Sequence, residues 1–333
     1  MKNSASIPCV VPAGTKQTLR TQAQQILPAL TIFFSSLNYS EILHQRLSQQ
    51  GNSSELDCQG LTRAQHPQLG RVMIKWQLCT DTSQKSTDLT YEAEVLKSIN
   101  DLLDNQSALQ NSLSAIAPPI LAYENITLQI LGQLQQLTIF VIPYYPNGSL
   151  ANQLSAQKYV LLTEAQKYQC ILQSAYLIHH LHNIGWLHND IKPSNILLDD
   201  FPVANNSNIK ANLLLTDFAL AARCHLPKKA TPAGTPAYLA PERWQGCGTT
   251  AQSDVYAFGI LMYEILVGER PFAVDAQSSD SMIDWATRHC QQSVPSLPLE
   301  YRHYQGIVDK ALAKRTGKRY QNMKDVLRDL EKL

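Results

Sequence analysis

The pattern of hydrophobic and polar positions changes character near residue 144. Before it, the apolar runs are short and β-prone. Gly70-Arg71-Val72-Met73-Ile74-Lys75-Trp76 reads as a strand. Thr87 and Asp88 look like helix-start residues. Leu89, Glu92, Leu96, Ile99 and Leu103 then recur at helical spacing. Two further runs, Pro119 to Tyr123 and Leu137 to Ile142, are strand-like. After residue 144 the pattern turns helical. Thr163-Glu164-Ala165-Gln166 fits a capping box, and Ile171, Ala175, Ile178 and Leu181 repeat along the helix that follows. Ile196 to Leu198 and Leu213 to Thr216 are short strand candidates. Val255 to Val267 is apolar nearly all round, which predicts a buried helix. Helical segments around Tyr304 to Leu312 and Asn322 to Leu330 close the chain.

These elements predict an α+β, bilobed protein. A sheet-rich half with one helix, residues 39–143, precedes a helical half, residues 144–333. A cleft is expected between the two. Residues 1–38 are rich in Ser, Thr, Gln and Pro and read as an extension. Their apolar patch, Ile26 to Phe34, is expected to add a helix or strand to the first half or to dock on its surface.

Composition narrows the function classes. The chain has 333 residues, 44% of them hydrophobic, which rules out disorder over most of its length. With 28 basic and 27 acidic residues the net charge is +1, so binding nucleic acid through a general basic field is not expected. The longest strongly apolar stretch, Phe258 to Gly268, is interrupted by Glu264 and is too short to span a bilayer. No apolar run of signal-peptide length follows Met1-Lys2. The seven cysteines are scattered and form no CxxC pair. They suggest neither a zinc ribbon nor a disulfide framework, and read as free thiols in a reducing cytoplasm.

The chemistry concentrates in His188-Asn189-Asp190-Ile191-Lys192-Pro193-Ser194-Asn195, a loop between an amphipathic helix and a short strand. Asp217-Phe218-Ala219 follows, then Gly234-Thr235-Pro236-Ala237-Tyr238-Leu239-Ala240-Pro241-Glu242. Taken in order, these segments resemble the catalytic loop, metal-binding motif and activation-segment end of eukaryotic-type (Hanks-type) serine/threonine protein kinases, bacterial branch. The resemblance covers roughly residues 39–333 and implies a protein-kinase-like fold with a small sheet-rich N-lobe and a larger helical C-lobe.

It also implies an activity: transfer of the γ-phosphate of ATP to Ser/Thr hydroxyls of protein substrates, including autophosphorylation, with Mg²⁺ and Mn²⁺ as the alternative metal. Asp190 matches the aspartate that orients the substrate hydroxyl and takes its proton. Lys192 matches the residue that stabilises the transferring phosphate. Asn195 and Asp217 match the metal ligands, hard oxygens suited to Mg²⁺. Lys75, which alone would read as an exposed strand lysine, matches the grip on the α/β-phosphates. Glu92 matches its helix partner. The implied hinge is Ile142-Pro143-Tyr144-Tyr145-Pro146-Asn147-Gly148, with Ile142 as gatekeeper. Pro143 lacks an N–H but keeps its carbonyl for adenine, and Tyr145 supplies the amide. Asp254 is implied to hold the catalytic loop's backbone, and Glu242 to pair with Arg319.

The chain departs from the family pattern in three places. The phosphate loop corresponds to Leu47-Ser48-Gln49-Gln50-Gly51-Asn52-Ser53-Ser54, with Gly51 its single glycine. Side chains there keep the backbone away from phosphate. Asn189 stands where many members have arginine, so phosphorylation of the activation segment, for instance at Thr231, should matter less. Ala219 stands where glycine is usual. The degenerate phosphate loop motivates a second reading, a pseudokinase or nucleotide-binding scaffold with little transfer activity. A small-molecule kinase of the aminoglycoside or choline type is a third; that class lacks the G-T-x-x-Y-x-A-P-E segment.

Overall fold

The computed structural model describes residues 13–49, 57–79, 88–107, 115–130, 132–155, 162–200, 212–225, 233–275, 278 and 280–333. Gly51, Thr87 and Thr231 lie outside them. The chain divides into two compact units: Met1–Ala93 with Ile120–Tyr144, and Glu94–Pro119 with Tyr145–Leu333.

The first unit is built on a five-stranded antiparallel sheet. Its strands are β1 (Ser40–Gln49), β2 (Cys58–His66), β3 (Gly70–Cys79), β4 (Ala122–Ile130) and β5 (Gln133–Pro143), in the order β1-β2-β3-β5-β4. Alternate residues of a strand face opposite sides. On β3, Val72, Ile74, Trp76 and Leu78 form one fully buried face. Helix α1 (Ala13–Ser36) covers it with Ile26, Leu30 and Phe34, all buried completely. The apolar patch of the extension therefore adds a helix to the first unit's core. His44 ties the two layers, bonding Thr31 Oγ1 at 3.0 Å and Thr62 Oγ1 at 2.8 Å. The Trp76 indole N–H donates to the same Thr62 hydroxyl at 2.9 Å. Gly60 pairs with Trp76 across the ladder, and a Cβ there would lie 2.2 Å from the indole. Only glycine fits that approach.

Strand β4 begins three residues after Pro119 and runs to Ile130, past the segment predicted from the sequence. It is an edge strand whose residues alternate between half-buried and exposed up to the buried Ile130. Its polar residues Glu124, Asn125, Thr127 and Gln129 mask it in a hydrophobicity pattern. Helix α2 (Asp88–Ser107) follows β3 in sequence, and Leu89, Leu96 and Ile99 along it are buried.

The second unit is mainly helical. After the short α3 (Leu150–Leu154) comes α4 (Glu164–Asn183). Thr163 caps α4, accepting from the Gln166 N–H at 3.2 Å while the Gln166 side chain accepts from Thr163 N–H. The short strands β6 (Trp186–Leu187) and β9 (Ala222–Arg223) pair, as do β7 (Ile196–Asp200) and β8 (Asn212–Leu215). The helices α5 (Pro241–Trp244), α6 (Ala251–Val267), α7 (Ser281–Gln291), α8 (Gln305–Ala311) and α9 (Met323–Leu330) complete it. From Ser253 to Leu266, α6 is buried at every residue except Glu264, as its all-round apolar pattern requires. Among the described residues no helix is long and apolar enough to cross a membrane.

Candidate active site

Each unit carries its own cluster of polar side chains. In the first, β3 presents Lys75 on the face opposite the α1 core. Its Nζ lies 2.6 Å from Glu92 Oε1, and Glu92 is nearly buried on α2. The ammonium also faces the Phe140 ring at 5.6 Å. A buried carboxylate needs such a partner, and a lysine so held is fixed in direction. At the end of β5, the Tyr144 N–H donates to Arg71 O at 3.0 Å, tying the segment after Pro143 to β3.

In the second unit, the loop between β6 and β7 converges on Asp190. Lys192 Nζ donates to Asp190 Oδ2 at 2.6 Å. Asn195 Nδ2 donates to the same oxygen at 3.1 Å and to the Asp190 carbonyl at 3.0 Å. Thr235 meets Asp190 Oδ1 twice, through its N–H at 3.0 Å and its hydroxyl at 2.8 Å. Lys192 Nζ also donates to the Thr235 hydroxyl at 2.7 Å. The carboxylate is thus locked in direction by four donors, the arrangement a positioned base requires. Because its Nδ2 is committed, Asn195 keeps Oδ1 as its carbonyl oxygen.

A second carboxylate fixes the loop from behind. Asp254, in the first turn of α6, accepts the His188 and Asn189 N–H groups, each at 2.9 Å, and lies 2.9 Å from His182 Nε2. Burial pushes the Asp254 carboxyl up, but the His182 hydrogen bond and charge, with the loop N–H groups, hold it below the usual range. His188 is completely buried, and burial drives its imidazole towards the neutral form. Its Nδ1 accepts from the Asp190 N–H at 3.3 Å, so its Nε2–H donates to Thr216 O at 3.1 Å. Asn189 adopts the left-handed φ of 67° and donates from Nδ2 to Leu220 O at 2.9 Å. The loop and the segment after Asp217 are therefore joined directly by an amide.

Asp217 is itself left-handed, with φ 68° and ψ 66°, a conformation Asp tolerates better than most residues. Ala219 sits in the 3-10 turn Phe218–Leu220, so the glycine-like geometry falls on Asp217 and not on Ala219. Among the described residues no group of three or more His, Cys, Asp or Glu is placed to hold a metal alone. Two oxygen donors, Asn195 Oδ1 and the Asp217 carboxylate, suit a hard cation that keeps phosphate and water in its shell, as Mg²⁺ does.

Glu242, on α5, receives a two-pronged pair from Arg319: Nη1 to Oε1 at 2.9 Å and Nη2 to Oε2 at 3.0 Å. The Ser253 hydroxyl adds a third bond at 2.8 Å. Sequence reasoning missed the part of Thr235 in holding Asp190 and of His182 in holding Asp254. Thr235 was visible as the second residue of the G-T-x-x-Y segment. His182 is one of several histidines on α4 and carries no distinguishing signal.

The sequence profile of the family described as Protein kinase domain matches residues 77–329. The chain belongs to that family. The match begins after Lys75 and includes Glu92, so of the pair only the lysine lies outside it. Similar proteins include the Probable serine/threonine-protein kinase PknB of Lactococcus lactis, 29% identical over 65% of this chain and 33% of its own length. The Serine/threonine-protein kinase PrkC of Bacillus subtilis is 29% identical over 62% of this chain and 30% of its length. The DNA damage-responsive serine/threonine-protein kinase RqkA of Deinococcus radiodurans is 38% identical over 31% of this chain and 14% of its length. The matches span about a third or less of these curated relatives.

Proposed function

We infer that the chain transfers the γ-phosphoryl group of ATP to serine and threonine hydroxyls of proteins, itself among them. The observation that carries this reading is the Asp190 carboxylate, aimed by Lys192, Asn195 and Thr235. In the reaction the substrate hydroxyl oxygen forms a bond to the γ-phosphorus, and the bond from that phosphorus to the β–γ bridging oxygen breaks to release ADP. Asp190 orients the hydroxyl and accepts its proton. Lys192 faces the charge gathering on the phosphoryl oxygens. Lys75, held by Glu92, grips the α/β-phosphates. Pro143 O and Tyr145 N–H take the edge of the base, and Gly51, outside the described residues, is assigned to phosphate binding on the sequence alone. Asn195 and Asp217 would hold Mg²⁺, which would supply charge neutralisation of the phosphates.

On this reading residues 39–143 are the N-lobe, 144–333 the C-lobe and 1–38 an extension. On the same reading the chain works in the reducing cytoplasm, to which scattered cysteines with no CxxC pair are suited. The test is incubation with labelled ATP and Mg²⁺, with a generic protein and an aminoglycoside offered in parallel. Label on protein serine and threonine supports the reading. Label on the aminoglycoside alone, or on neither, overturns it.

A further inference from the structure

The open face of the first unit's sheet carries a second cation besides Lys75. In the β2–β3 ladder Arg63 pairs with Met73, and Leu61 with Lys75. Paired residues of an antiparallel ladder share a face, and so do residues two apart. Arg63, Met73 and Lys75 therefore lie on one side, away from the α1 core. In the β3–β5 ladder Met73 pairs with Ile142 and Val72 with Pro143. Between the lysine and the Pro143 carbonyl, the sheet surface is Met73 with Arg63 beside it. Arg63 is half-buried, and no carboxylate among the described residues pairs with it. Its guanidinium instead lies over the Tyr144 ring, 5.6 Å from the centroid. It also lines a hollow of about 90 Å³ with Glu41, Ala64 and Arg71, which leaves it room to turn.

We propose that Arg63 is a specificity-determining residue for the nucleotide, its guanidinium plane stacking on the purine base. The inference rests on the nucleotide-binding reading given above. A nucleotide with phosphates on Lys75 and its base edge on Pro143 O crosses Met73 and Ile142, and the Arg63 guanidinium, over the Tyr144 ring, lies beside that path. A guanidinium is planar and weakly hydrated, so it stacks on aromatic faces where an ammonium does not. Desolvated stacking of this kind is worth a factor of roughly 5 to 30 in affinity.

The test compares ATP and adenosine binding to the full chain, wild type against Arg63→Ala and Arg63→Lys, with thermal unfolding checked on each. Arg63→Ala weakens ATP and adenosine by the same factor, roughly 5- to 30-fold, and Arg63→Lys restores little of it. A loss for ATP but not adenosine would place Arg63 on the phosphates and overturn the inference. So would no loss for either, which would leave Arg63 as packing on Tyr144. An equal loss in Tyr144→Leu that the double variant does not deepen would assign the effect to Tyr144 instead. Wild-type protein that binds neither ATP nor adenosine would sink the nucleotide reading itself.

Discussion

Lys75 and Glu92 meet at 2.6 Å, one from strand β3 and one from helix α2. Glu92 is nearly buried while Lys75 keeps part of its side chain accessible. The carboxylate thus meets the ammonium away from solvent, whereas the ammonium keeps an accessible side. Lys75→Met is expected to lower phosphate transfer by roughly 10²- to 10³-fold, the scale of losing one preorganised charge. It also leaves a buried carboxylate without its cation, so a stability loss of about 1–3 kcal/mol should accompany it. Glu92→Gln keeps an acceptor for the lysine and should cost less of both. Steady-state transfer rates and urea unfolding on the three proteins check this. Equal rates in all three would contradict it.

The Glu242–Arg319 pair governs the acid side of stability in the second unit. Burial pushes the Glu242 carboxyl up, but Arg319 and the Ser253 hydroxyl outweigh it and hold the group below its ordinary 4.5. A group lowered on folding contributes stability above its unfolded value and loses it as pH falls through the folded one. Arg319→Ala should therefore cost about 3–5 kcal/mol at pH 7, because it strands a buried charge. The gap from wild type should begin to shrink as pH falls below the ordinary 4.5 and close only through the lower folded value of the wild type, where the carboxyl is protonated in both. Urea titrations at neutral pH and through that fall measure it. A gap independent of pH would show that the arginine acts by packing alone.

Helix α1 should behave as part of the sheet's core. Phe34 is fully buried against strand residues and edges onto the Tyr39 ring at 6.3 Å. Phe34→Ala is expected to destabilise by about 3–5 kcal/mol, the usual cost of emptying such a site. Ile32, 72% exposed on the same helix, should tolerate alanine with a change below about 0.5 kcal/mol. Similar losses at both positions would mean that α1 is not docked as described.

How far the sequence could be read depended on the kind of signal. Val255 to Val267 and the cap at Thr163 announce helices because burial and capping leave residue-level marks. The motifs at Asp190 and Asp217 were legible because their order along the chain is distinctive. Strands β1, β2 and most of β4 were hidden, since half-exposed strands carry Gln, Arg, Thr and Ser as readily as loops do. The docking of α1 was left open because an apolar patch states that it must be covered but not by what. Gly60 offered no hint of its role. Its reason is the Trp76 indole on the neighbouring strand, a contact between residues that sequence spacing does not link.

The measurement that bears most directly on the account is γ-phosphate transfer from labelled ATP with Mg²⁺, comparing wild type with Asp190→Ala purified in the same way. The account predicts transfer to protein Ser/Thr by the wild type and a drop of roughly 10²- to 10⁴-fold in the variant, the range for losing a positioned base. Transfer that survives at the wild-type rate in Asp190→Ala, or wild-type protein that binds ATP and transfers nothing, would contradict it.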